Sequence, residues 1–113
     1  MKGIERMKTI LRASLLALAL TLVFSTYTFA DAGGDLYKTK GCAACHGATG
    51  AGDTTMGKNL KLRDLGSADV QKQSDDELTT IITKGKGKMP AYNGKLTKEQ
   101  VGDVVKFIRS LKK

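Results

Sequence analysis

Tryptophan is absent, and three tyrosines with three phenylalanines bring aromatics to only 5% of the 113 residues. A short chain with so few large side chains has little material for a core. Domains of this kind usually recruit a disulfide, a metal or a cofactor. Cysteine and histidine are scarce as well, at two and one, so the four donors of a structural zinc site are lacking. Period-2 alternation with β-branched residues is missing, which leaves no convincing strand. No repeat or low-complexity tract is present. The lysines are not interleaved with aromatics as in proteins that read single-stranded nucleic acid, and nucleic acid is excluded as a partner.

One apolar run exists, Ala13 to Phe24 (ASLLALALTLVF). It follows Lys2, Arg6, Lys8 and Arg12 and precedes the small residues Ala30 and Ala32. Basic start, apolar middle and small-residue end are the order of a secretory signal. The run is short of the roughly 20 residues that cross a bilayer, although an uncleaved anchor is the competing reading. Residues 1–30 are therefore expected to be a signal peptide, with cleavage after Ala30 in preference to Ala32, and 31–113 the working domain. No twin-arginine pair precedes the run, which favours the general secretory route. The whole chain carries +8. Residues 1–30 hold four of the basic and one of the acidic residues, so the remainder carries +5. A basic exported protein fits acidic protein partners or an anionic membrane surface.

Three helices are expected in the remainder. The first covers Gly34 to Lys40. The second starts at Ser74-Asp75-Asp76-Glu77, a capping box. Leu78, Ile81 and Ile82 lie on its one face, and Gly85 ends it with a left-handed residue. The third starts at Thr97 with Gln100 three residues on, again a capping box. Val101, Val104, Val105, Ile108 and Leu111 follow at helical spacing, with Arg109 and the terminal lysines where the helix dipole favours positive charge. Glycine-rich loops, Gly47–Gly57 and Gly85–Gly94, join these segments. The fold class is all-α.

The chemistry lies in Cys42-Ala43-Ala44-Cys45-His46, which matches C-x-x-C-H, the attachment signature of c-type haem. Two thiols at this spacing reach the two vinyl groups on one porphyrin edge, and the histidine that follows is placed to ligate the iron. A thioredoxin-like redox pair lacks its βαβ context here. A plain disulfide leaves unexplained why the only histidine directly follows the second cysteine. For a sixth ligand, Met56 and Met89 remain once residues 1–30 are set aside. Met89 sits in the polar loop Lys86-Gly87-Lys88-Met89-Pro90-Ala91-Tyr92, a poor place for core filler, and a thioether there raises the potential by favouring reduced iron. Gap-filling is the bland alternative for any methionine.

With Gly33 and Tyr37 ahead of C-A-A-C-H-G, the K-M-P-A-Y string, and Val104, Phe107 and Ile108 in the last helix, residues 31–113 resemble the small class I cytochromes c of bacteria and algal plastids. The resemblance implies three or more short helices wrapped around one covalent haem, with Cys42, Cys45, His46 and Met89 binding the cofactor and His46 and Met89 as iron ligands. It implies that Gly33 and Tyr37 cross against Val104 and Phe107. It also implies a monomeric, non-enzymatic one-electron carrier of the periplasm or an equivalent space, with no small-molecule substrate. Its redox protein partners, membrane complexes among them, would dock on a basic rim for which Lys38, Lys40, Lys84, Lys86 and Lys88 are candidates. The alternatives are a haem-based sensor with a displaceable sixth ligand and a dedicated electron-transfer subunit of a larger dehydrogenase or reductase. One departure stands out: where the family often has a proline whose carbonyl receives the Nδ1–H of the proximal histidine, this chain has Met56-Gly57-Lys58-Asn59-Leu60. One of those carbonyls is expected to hold His46, and Met56 to line the pocket.

Overall fold

The computed structural model describes residues 3–10, 12 and 32–113. The chain divides into two compact units, Met1–Ala30 and Asp31–Lys113. In the first, residues 3–10 are helical; the apolar run Ala13–Phe24 and Ala30 lie outside the described residues. No helix among the described residues is long and apolar enough to cross a membrane.

The second unit is helical: α1 (32–39), α2 (Cys42–His46), α3 (Thr55–Asn59), α4 (Ala68–Gln71), α5 (Asp75–Lys84) and α6 (Lys98–Ser110). The described residues contain no strand, only isolated bridges at Lys86–Met89 and Asn93–Leu96. The all-α expectation holds, and α1, α5 and α6 fall close to their expected positions. The single-turn helices α2, α3 and α4 lacked a periodic signal because four or five residues are too few to repeat one.

Both capping boxes form. Ser74 accepts from the Glu77 amide and Thr97 from the Gln100 amide, and each N3 side chain reaches back to its cap. Leu78 and Ile82 of α5 and Val101, Val104, Val105 and Ile108 of α6 are buried in one cluster. Arg109 fastens this pair to the preceding turn. Its guanidinium donates to the Gln71 carbonyl at 2.8 Å and to Asp75 Oδ1 at 2.9 Å. Gln71 Nε2 in turn donates to the carbonyls of Leu65 (2.8 Å) and Ile108 (2.9 Å). Gly85 departs from expectation: its φ of 76° comes with ψ of 171°, outside the left-handed helical region.

α1 meets α6 at Gly33, where a Cβ would overlap the Asp103 carbonyl and lie 3.0 Å from Phe107 Cβ. The Tyr37 and Phe107 rings meet with centroids 4.8 Å apart and planes tilted by 46°. The expected crossing is therefore present, with the Asp103 backbone in place of the Val104 side chain as the closest approach.

Candidate functional site

The core of this unit lines a pocket. Val70, Leu78, Ile82, Tyr92, Val104 and Ile108 belong both to its buried cluster and to the lining of a cavity of about 620 Å³. Walls of this kind gain about 25 cal/mol for each Å² of apolar surface taken out of water, so the pocket suits a large apolar occupant.

One wall is α2. Gly41, with φ 85° and ψ 6°, starts it in a conformation that glycine adopts without strain. In one helical turn, positions i, i+3 and i+4 share a face, and Cys42, Cys45 and His46 all line the cavity. The Gly47–Gly57 loop folds back over the end of this turn. Gly52 N donates to the His46 carbonyl at 2.8 Å, and Thr54 Oγ1 donates to the Cys45 carbonyl at 2.7 Å while accepting from Gly57 N. Gly57 permits that approach, since a Cβ there would lie 2.6 Å from the Cys45 oxygen.

Both thiols are free and half-buried, and burial pushes Cys42 up towards its protonated form. Burial lowers the His46 pKa, which keeps the imidazole neutral, the form that binds metal. His46 Nδ1 is buried without a hydrogen-bond partner, so the expected carbonyl from Met56–Leu60 does not hold it. The early carbonyls of that stretch are used within their own turn: Met56 O by Leu60 N, Gly57 O by Leu62 N and Lys58 O by Lys61 N.

The loop after α5 supplies Met89. Lys86 and Met89 exchange backbone hydrogen bonds of 3.2 and 3.0 Å around Gly87, whose φ is 58°. Met89 is half-buried, packs on the core and lines the cavity. Met56, expected in the pocket, is 51% exposed and absent from the lining. It lies on α3, a helix the sequence pattern does not reveal. Of the five candidate lysines, all exposed, Lys86 and Lys88 border the cavity, joined by Arg63, which no motif singled out.

Tyr37 lines the cavity and donates its hydroxyl to the Gly47 carbonyl at 2.6 Å. Burial, the largest cause, pushes its pKa up to about 12. The folded state thus favours the protonated phenol. That stabilisation is complete below the unfolded value of 10 and is lost as the pH rises towards 12. Denaturation measured across this window is expected to show a steeper loss in the wild type than in Tyr37→Phe. At neutral pH the variant should be about 0.5–1.5 kcal/mol less stable, because it removes the phenol's hydrogen bond and leaves the Gly47 carbonyl only the Gly50 N–H at 3.2 Å.

The cavity, the paired free thiols and the neutral buried imidazole together fit a covalently attached haem. A family profile described as "Cytochrome C oxidase, cbb3-type, subunit III" matches residues 28–108. The chain belongs to the c-type cytochrome family. It is 33% identical over 110 residues to cytochrome c6 of Picosynechococcus, covering 90% of this chain and 92% of that one. It is 35% identical over 79 residues to cytochrome c6 of Leptolyngbya boryana, covering 70% and 88% respectively. The solved structure of the KustC0563 c-type cytochrome matches with a TM-score of 0.65 at 35% identity, covering 72% of this chain and 98% of its own. The protein is thus a small monohaem cytochrome with the all-α fold of its class, and its cofactor is covalent haem c. Although the family profile takes its description from an oxidase subunit, these relatives are small cytochromes matched over most of their own length.

Proposed function

We propose that this monohaem electron carrier is exported and works between redox protein partners, with its haem iron held by His46 and Met89. The observation that carries the reading is that Cys42, Cys45, His46 and Met89 all border one apolar cavity. Cys42 and Cys45 would hold the group on α2 through thioethers, with His46 as its neutral imidazole ligand and Met89 as its thioether ligand. The bound haem supplies a one-electron ferric/ferrous couple. With His46 and Met89 both as iron ligands, the chain would leave no open position for a substrate, and its part would be to set the potential and the docking. The exposed cations Lys86, Lys88 and Arg63 at the cavity border favour acidic partners. The basic start and apolar run of residues 1–30 support export.

The test uses protein recovered from the periplasmic fraction, where an intact mass beginning at Asp31 plus one haem is expected. Its ferric spectrum should show the weak long-wavelength charge-transfer band of a methionine–iron bond, and Met89→Ala should abolish it. A wild type without that band, whose reduced form binds CO readily, would replace the carrier with the sensor reading.

A further inference from the structure

The Met89 loop is almost a closed unit. Lys86 and Met89 satisfy each other's backbone groups, and Pro90 has no N–H to offer. The loop is held to the rest of the unit at its two ends. At one end Gly85 N donates to the Ile81 carbonyl at 2.8 Å. A Cβ on Gly85 would lie 2.6 Å from the Met89 oxygen, so the chain turns back on itself there. At the other end stands Tyr92, 8% exposed. Its N–H donates to the Ile82 carbonyl at 3.0 Å, and its carbonyl accepts from Lys95 and Leu96.

The Tyr92 hydroxyl goes elsewhere. It donates to the Lys40 carbonyl at 2.8 Å, across 52 residues of chain. Lys40 stands two positions before Cys42, and Gly41, Cys42, Met89 and Tyr92 all line the same cavity. This hydrogen bond therefore joins the segment that carries the methionine to the segment that carries the first attachment cysteine. For Met89 to swing away from the cavity, the loop must pivot about the ends that Gly85 and Tyr92 anchor.

We propose that Tyr92 is a positioning residue for Met89: its hydroxyl, tied to the Lys40 carbonyl, holds the methionine loop closed and sets how readily an outside ligand displaces the thioether. The inference rests on Met89 as an iron ligand. It goes further, because the phenol is given a role through the loop and not as a ligand.

The test is imidazole titration of the ferric holoprotein, followed by loss of the methionine–iron band. Tyr92→Phe keeps the ring and its packing and removes only the hydroxyl. It is expected to bind imidazole about fivefold to tenfold more tightly, the effect of one hydrogen bond on the closed state. Ser74→Ala removes the cap at the far end of α5, a general loss of stability, and is expected to leave imidazole affinity unchanged. Equal affinity in Tyr92→Phe and wild type, both retaining the band, overturns the inference and leaves Met89 ligation standing. So does an increase in Ser74→Ala matching that of Tyr92→Phe, which would make the effect one of stability alone. A wild type without the band overturns Met89 ligation and this inference together.

Discussion

Replacing both Cys42 and Cys45 with serine is expected to yield a chain that neither retains haem on a denaturing gel nor folds cooperatively. The first outcome follows from the loss of both thioethers. The second follows from the cavity: about 620 Å³ bordered by most of the buried cluster. Without an occupant, the domain must leave that space to water against apolar walls or collapse into it. Either course forfeits apolar burial, about 25 cal/mol for each Å² left wet, in a domain whose typical stability is only about 5–15 kcal/mol. Each single variant, Cys42→Ser or Cys45→Ser, keeps one thioether and the same ligands, and should remain folded with haem at reduced stability. Far-UV circular dichroism through a guanidinium titration, with haem stain in parallel, reads both properties. A cooperative unfolding transition in a haem-free double variant would mean that the hydrophobic cluster sustains the fold by itself.

What could be read along the chain, and what could not, divides by range of contact. The α5 and α6 starts were visible because a capping box is a signal four residues long, and each formed as read. The cysteine–histidine turn was visible because its spacing is itself the chemistry. Met56 was misplaced because nothing local distinguishes a thioether that faces solvent from one that faces a cavity; the single turn of α3 decides it. The acceptor for His46 was expected in 56–60 by resemblance, yet that stretch spends its early carbonyls on its own turn. The Tyr92–Lys40 tie spans 52 residues, and no pattern in either segment announces it. The family resemblance placed Gly33 at the crossing of α1 and α6, but only the structure reveals that the Asp103 backbone is the first thing it must clear, ahead of the Phe107 side chain.

That distinction predicts different outcomes at adjacent glycines. A Cβ at Gly33 would overlap the Asp103 carbonyl oxygen, lie 2.9 Å from its carbon and lie 3.0 Å from Phe107 Cβ. Backbone of a helix cannot swing aside as a side-chain tip can, so Gly33→Ala forces α1 and α6 apart. Separation of the helices would loosen the Tyr37–Phe107 contact, now at 4.8 Å, and with it the Tyr37 hydroxyl's hold on Gly47 just after the attachment turn. Overpacking usually costs about 1–3 kcal/mol, occasionally more, and this site should lie at or above the upper end. At Gly34 a Cβ would meet only the Phe107 ring atoms at 3.5 Å, ordinary van der Waals contact. There the helix-propensity advantage of alanine over glycine, about 1 kcal/mol, offsets much of any cost, so Gly34→Ala should be close to neutral. Guanidinium denaturation of the two holoproteins separates the cases. Equal stabilities would mean that the helix crossing yields easily and that close backbone approach is not what fixes α1 on α6. A loss of about 3 kcal/mol or more at Gly33 alone would tie one missing methyl group to the geometry of the whole haem-bearing turn.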